Sequence, residues 1–222
     1  MNDASFPRRA RTQRKNDPIA FFLGFLRRPN TVASLVPSSR FLERRLVDVA
    51  AVHNARLVVE LGPGTGGTTR ALLARLPENA NLLAIELDPR FVELLREVND
   101  PRLIVHLGSA EDLRGALDRY GLPAPDAVIS GIPFSTMSPS LGRQVLSEAW
   151  SCLAPGGRFV AYQFRDRVAV LGRKLLGKPD IELELLNAPP MRVYRWRKPA
   201  GADSSHACRA QSAAAAAQED RV

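Results

Sequence analysis

The run Val58-Val59-Glu60-Leu61-Gly62-Pro63-Gly64-Thr65-Gly66-Gly67 carries the densest chemical signal in the chain. An apolar segment leads through four glycines into a helical pattern. Glycines permit positive φ and let a ligand approach the backbone, while the start of a helix offers free N–H groups. Gly62, Gly64 and Gly67 also fit the G-x-G-x-x-G spacing of a dinucleotide-binding turn. Glu60 speaks against that ligand, because a carboxylate two residues before the first glycine stands beside a pyrophosphate and repels it. It suits a ligand with a cationic end instead. Gly62, Pro63, Gly64, Thr65 and Gly66 are the candidate contacts to that ligand, with Glu60 facing its positive charge.

Three further loops continue the pattern. Glu86 ends the apolar run Leu82–Glu86, 20 residues beyond Gly66, where an acid accepts hydrogen bonds from both hydroxyls of a ribose, with Leu87 beside it. Asp88-Pro89 reads as the cap of the next helix. Gly108-Ser109-Ala110-Glu111-Asp112 follows the run Leu103–Leu107 and puts Ser109 and Ala110 at the far end of a nucleoside. Ser130-Gly131-Ile132-Pro133-Phe134-Ser135 follows Ala127–Ser130. That loop emerges at the carboxyl edge of a sheet, where a second substrate sits. Gly131, Ile132, Pro133 and Phe134 are the candidates there, with Ser130 on the cofactor side. The rings of Phe134 and Tyr162 are candidates to stabilise a cationic product by cation–π contact.

These loops must be held by regular elements. Leu57–Leu61, Leu82–Glu86, Leu103–Leu107, Ala127–Ser130 and Arg158–Phe164 read as strands. Between and after them, helical patterns fall around Thr68–Leu76, Arg90–Val98, Asp112–Tyr120, Leu141–Leu153 and Val168–Leu176. Such alternation argues for a parallel sheet with helices on both faces. Ile181–Leu186 and Met191–Arg197, joined by Asn187-Ala188-Pro189-Pro190, read as an antiparallel hairpin that finishes the sheet. The fold expected is therefore α/β: Rossmann-like, doubly wound, with a mostly parallel seven-stranded sheet, a C-terminal antiparallel hairpin and N-terminal helices. Residues 1–52 form a basic arm with amphipathic helices around 17–28 and 39–52, residues 53–198 the ligand-binding domain, and residues 199–222, with five consecutive alanines, a low-complexity tail.

In order and placement these loops resemble class I S-adenosylmethionine (SAM)-dependent methyltransferases, over roughly residues 18–198. The resemblance implies SAM as cofactor, with Glu60 toward its methionine end, Glu86 on the ribose and Ser109 and Ala110 beside the adenine. That family often carries an acid where Ser109 stands. Two subfamilies are similar at the acceptor loop. The ribosomal RNA adenine dimethyltransferases carry Asn-Leu-Pro-Tyr or Asn-Ile-Pro-Phe, whose asparagine holds the exocyclic amine of a flipped base. Against Ile132-Pro133-Phe134 that asparagine falls on Gly131, and the chain lacks their helical C-terminal domain. The soluble bacterial phospholipid N-methyltransferases are more similar. They match at Phe25-Leu26-Arg27-Arg28-Pro29, Pro37-Ser38-Ser39-Arg40, Ser130-Gly131-Ile132-Pro133, Gln163-Phe164 and Asn187-Ala188-Pro189-Pro190-Met191-Arg192-Val193-Tyr194. This resemblance implies methylation of phosphatidylethanolamine, toward phosphatidylcholine, on an anionic membrane. An ornithine-lipid or other amino-lipid acceptor stays open, as does a non-catalytic SAM- or RNA-binding protein.

Composition bounds these readings. Of the net charge of +8, residues 1–30 carry seven basic side chains against two acidic ones, which implies a negatively charged partner, lipid or nucleic acid. Ile19, Phe21, Phe22, Phe25 and Leu26 share an apolar face beside arginines. That is the pattern of an interfacial helix or of a helix capping the cofactor cleft. Ile19–Leu26 is followed by Arg27-Arg28-Pro29 rather than a secretory cleavage site, and no apolar run reaches the roughly 18 residues of a membrane span. The expected location is cytoplasmic, peripheral on the inner face of the cell membrane. Cys152 and Cys208 are too few and too far apart for a disulfide framework or a zinc site, and no metal is expected. The three histidines lie outside the motifs, and His106 reads as structural.

Overall fold

The computed structural model describes residues 38–201. The basic arm, the helix read around 17–28 and the alanine-rich tail lie outside the described residues. Leu57–Leu61 (β1), Asn81–Glu86 (β2), Leu103–Leu107 (β3), Ala127–Ser130 (β4) and Arg158–Gln163 (β5) are parallel strands. Met191–Arg197 (β7) runs antiparallel to β5, and Asp180–Glu184 (β6) antiparallel to β7. The spatial order β3-β2-β1-β4-β5-β7-β6 puts the last strand inside the sheet and β6 at its edge. The order reverses between β1 and β4, and open α/β sheets bind ligands outside the strand ends at such a reversal.

The apolar strands are central because both of their faces are covered. Leu57, Val59 and Leu61 of β1 enter one core, with Leu113–Arg119 (α4), Pro139–Cys152 (α5) and Arg167–Leu176 (α6). Val58 enters the other, with Arg40–Ala50 (α1) and Gly67–Leu73 (α2). The alternation that sends Leu61 to the first face sends Glu60 to the second, toward α2. By the same rule Phe159 and Ala161 of β5 join the first core, and Tyr162 packs against the second. Glu60 and Tyr162 thus share one side of the sheet. The remaining helix, Pro89–Arg96 (α3), follows β2.

Helix starts follow capping chemistry. The Ser39 hydroxyl accepts from Leu42 N–H at 3.2 Å, and Asp88 accepts from Arg90 N–H at 2.9 Å with Pro89 behind it. The Ser138 hydroxyl accepts from Leu141 N–H at 3.2 Å, so α5 begins at Pro139, two residues before the apolar pattern starts. Helix α1 is tied to the far end of the sheet. Arg45 pairs with Glu182 at 2.7 Å and Glu184 at 2.8 Å, and Ser39 N–H donates to the Asn187 side-chain oxygen at 2.8 Å. The Asn187 amide in turn donates to the Pro189 carbonyl at 2.8 Å. Asn187→Ala leaves the half-buried Ser39 N–H without its acceptor, which costs about 1 kcal/mol. Thermal unfolding should show the lowered Tm, and an unchanged Tm would mean that the clamp carries no stability.

Candidate active site

A cleft opens at the carboxyl ends of β1, β4 and β5. Gly62, Pro63, Gly64 and Thr65 form one wall, Gly131 and Pro133 the floor beside it, and Tyr162 the opposite side. Ser38 and Asn187, at the two ends of the α1 clamp, also line it. The glycine loop, the acceptor loop and Tyr162 therefore converge, although they come from three separate parts of the sequence.

Gly64 has φ +57°, and nothing lies within 4 Å of where its Cβ would be. That space belongs to the cleft. The Gly64 N–H donates to Glu86 Oε2 at 3.0 Å, while Glu86 Oε1 accepts from Leu87 and Asp88 N–H at 2.8 and 2.9 Å. Glu86 is buried, and burial raises its pKa against the opposing pull of these backbone bonds. Its carboxylate is thus fixed beside the glycine loop.

Glu60 is buried, with Oε2 accepting from the Thr69 hydroxyl at 2.6 Å. Its other oxygen, Oε1, has no hydrogen-bond partner among the described residues. Burial pushes its pKa up to about 7, the Thr69 hydrogen bond opposes that rise, and Glu86 adds to it. Glu43 of α1, whose carboxylate lies 3.0 Å from the Cβ position of Gly67, is also raised by burial. Three carboxylates set around a glycine turn, all held toward neutrality by desolvation, form an environment that a cation relieves. The orphaned Glu60 oxygen and the open space over Gly64 fit the cationic methionine end of SAM.

The sign of the pH effect follows from Glu60. An unfolded chain releases this proton near pH 4.5 and the folded chain near 7. The contribution of Glu60 to stability is therefore fullest below pH 4.5 and declines as pH rises to about 7. The loss is about 3 kcal/mol from this group, and Glu86 shifts in the same direction. Glu60→Gln should flatten this decline in ligand-free thermal scans between pH 5 and 8. It should also weaken SAM binding about tenfold at pH 8. A decline as steep in the variant as in the parent would place its origin elsewhere.

Tyr162 and Gly131 fit each other. A Cβ on Gly131 would run into the Tyr162 hydroxyl, and would lie 3.0 Å from both Tyr162 Cζ and the Gly62 carbonyl oxygen. The Tyr162 hydroxyl lies 3.5 Å from that of Thr68 and bonds Ser38. Burial, with the Glu60 charge adding to it, pushes its pKa up to about 12, so the phenol stays protonated. The Gln163 amide holds the acceptor loop by donating to the Ile132 carbonyl at 2.5 Å.

Several sequence-derived candidates stand elsewhere. Phe134 is fully buried in the α5–α6 core, against Gly142, so its ring offers no cation–π contact to the cleft. The turn Phe134–Thr136, closed by Thr136 N–H to the Pro133 carbonyl at 3.0 Å, rotates the ring inward. The Ile132 side chain lies in the same core, with Cγ1 3.1 Å from the Cβ position of Gly62, so it supports the glycine loop rather than lining the cleft. Ser130 is buried beneath the loop. Ala110 points into the core, and the Ser109 hydroxyl caps the turn Ala110–Asp112, accepting from Glu111 N–H at 3.3 Å. Sequence reasoning missed Thr68, Phe91 and Arg165, which line the cleft, and Glu43 beside α2. None of them falls within a motif. Among the described residues no cluster of His, Cys, Asp or Glu is arranged to hold a metal ion.

Comparison with known proteins gives this arrangement its class. Residues 58–157 match the model of a methyltransferase domain. The structure is similar to the O-methyltransferase TomG from Streptomyces achromogenes, solved with SAM, at a TM-score of 0.60 and 19% identity, covering 83% of this chain and 88% of that one. It is also similar to the N-methyltransferase NodS from Bradyrhizobium japonicum WM9, at a TM-score of 0.58 and 14% identity, covering 71% and 94%. At these identities the likeness shows the fold. In sequence, the chain is 38% identical over 182 residues to an ornithine lipid N-methyltransferase from Singulisphaera acidiphila, covering 79% of this chain and 94% of that protein. It is 37% identical over 102 residues to the ribosomal RNA small subunit methyltransferase A of Phenylobacterium zucineum, but spans only 34% of that protein's length. The chain belongs to the class I SAM-dependent methyltransferases, in the family that includes the Singulisphaera protein.

Proposed function

We propose that this methyltransferase acts on the primary amine of an amino-lipid, an ornithine lipid or phosphatidylethanolamine, at an anionic membrane surface on the cytoplasmic side. The observation that carries this reading is the Gly131–Tyr162 pair. The position where an adenine methyltransferase needs a carboxamide has no room for any side chain, and a phenol fills the space instead. A hydroxyl that donates to Ser38 or Thr68 keeps lone pairs free to accept from an amine N–H. It can thereby aim the amine nitrogen across the glycine loop. Bound SAM would supply a methyl group already activated on a sulfonium. The protein's task is then orientation and exclusion of water. It also takes up the amine in its neutral form, the ammonium proton released to solvent, because only that form has the lone pair that attacks a methyl carbon. Glu60 and Glu86 hold the two ends of the cofactor, and Tyr162 with the Pro133 loop holds the acceptor.

The relative named for ornithine lipid, matched along nearly all of its length, supports the same class of acceptor. The RNA alternative draws on a match to a third of a longer protein. Among the described residues no helix is long and apolar enough to cross a membrane, so the proposed contact with lipid is from the surface. Incubation with methyl-labelled SAM and either amino-lipid vesicles or unmodified ribosomal RNA, extracted separately, tests the reading. Label should enter the lipid phase; label in RNA alone overturns it.

A further inference from the structure

The edge strand β6 has two unlike faces. Glu182 and Glu184 turn toward α1, where Arg45 pairs with both. Alternation therefore turns Ile181 and Leu183 to the opposite side, in register with Tyr194 and Arg192 of β7. On that side α6 covers β7 and stops short of β6. Gly172 of α6 faces Trp196, its Cβ position 3.4 Å from the ring, and Leu171 packs on Gly142 of α5. Ile181 and Leu183 are each left 54% exposed, and Leu185, just beyond the strand, 70%. Val170 of α6 is exposed as well.

An edge strand with one apolar face, and no further strand paired to it among the described residues, invites association, and native proteins cover or charge such edges. The strand's own acids are taken up in ion pairs, Glu182 and Glu184 by Arg45 and Asp180 by Arg195, and the neighbouring helix α6 with its flanks is cationic. Between residues 164 and 178 there are five basic side chains, Arg165, Arg167, Arg173, Lys174 and Lys178, against one acid, Asp166. The patch also reaches the cleft. Arg192, beside Leu183, donates to the Phe164 carbonyl at 2.6 Å, and Phe164 and Arg165 line the cleft.

We infer that this face, Ile181, Leu183 and Leu185 with their basic rim, docks on an anionic bilayer and sets the cleft mouth against the headgroup layer. The inference rests on the lipid reading above and adds the surface by which the folded domain meets its substrate. Apolar side chains enter the interface while basic residues near it contribute about 1 kcal/mol each, a term that salt weakens. A second copy of this chain, pairing edge to edge, would instead shield the patch from lipid.

The test uses the full chain and vesicles of phosphatidylglycerol and phosphatidylcholine. Ile181→Glu with Leu183→Glu alters only exposed side chains and should lower vesicle partition about tenfold. SAM binding and turnover of a water-soluble short-chain acceptor should stay at the parent level. Arg173→Glu with Lys174→Glu should lower partition at low salt and match the parent at high salt. Partition equal to the parent in both variants overturns the inference. So does a parent dimer that the first variant splits with partition unchanged. Face-dependent partition by a protein that methylates neither lipid form would uphold the docking surface and overturn the substrate reading instead.

Discussion

Gly64→Val is expected to weaken SAM binding by more than a hundredfold, measured by calorimetry or equilibrium dialysis. Two effects act in the same direction. At φ +57° a β-branched residue is strained by about 1–2 kcal/mol, and it relaxes only by moving the loop. Moving the loop breaks the 3.0 Å bond from Gly64 N–H that positions Glu86. The added methyls also enter a volume free of protein atoms to 4 Å, which is where a ligand must approach the backbone. Stability should fall only by the strain, since no protein group is displaced. Affinity equal to the parent would overturn the assignment of this loop to the cofactor.

Gly131→Asn installs the asparagine of the similar adenine dimethyltransferases, and should lower methyl transfer to the proposed amino-lipid acceptor at least a hundredfold. The new side chain meets the Tyr162 hydroxyl and ring on one side and the Gly62 carbonyl on the other. Overpacking of this kind costs about 1–3 kcal/mol of stability, and it expels the phenol from its place beside Thr68. No RNA methylation should appear in its place. Tyr162→Ala in the same chain should recover much of the lost stability without recovering turnover, because the steric conflict goes but so does the hydroxyl. Full activity in Gly131→Asn would mean that the phenol moves aside freely, and the argument against a nucleobase acceptor would fail.

The strands were readable because each parallel strand is an apolar run bounded by polar or turn residues. Leu57–Leu61, Leu103–Leu107 and Ala127–Ser130 carry their boundaries in the sequence. The glycine loop and Glu86 were readable for a related reason: their contacts lie on consecutive βα units, so spacing along the chain stands in for position. Phe134 was misplaced since an aromatic after a proline reads as an exposed loop residue. Only the short turn Phe134–Thr136 shows that its ring is directed inward. The partner of Gly131 escaped the motif reading. Tyr162 was recognised as an aromatic near the acceptor, but that its hydroxyl occupies the missing side chain's space depends on β4 and β5 being neighbours. Asn187 and Ser39 are 148 residues apart, and no local pattern announces a hydrogen bond across that span. The dividing line is physical: periodicity records burial, whereas contacts between distant segments follow from topology.

The strand order bears on how such a chain is made. Because β7 lies between β5 and β6, a nascent chain halted before Met191 leaves β6 with no strand to pair with and one edge of β5 open. Helix α1 cannot finish docking either, since Asn187, Glu182 and Glu184, which receive it, are among the last described residues to be translated. The first described helix therefore waits for β6 and β7, and the acceptor side of the cleft closes only once those strands are in place. Contacts of such long sequence separation are slow to form. A short deletion that reaches β7 should release β6 and α1 together rather than trim one strand.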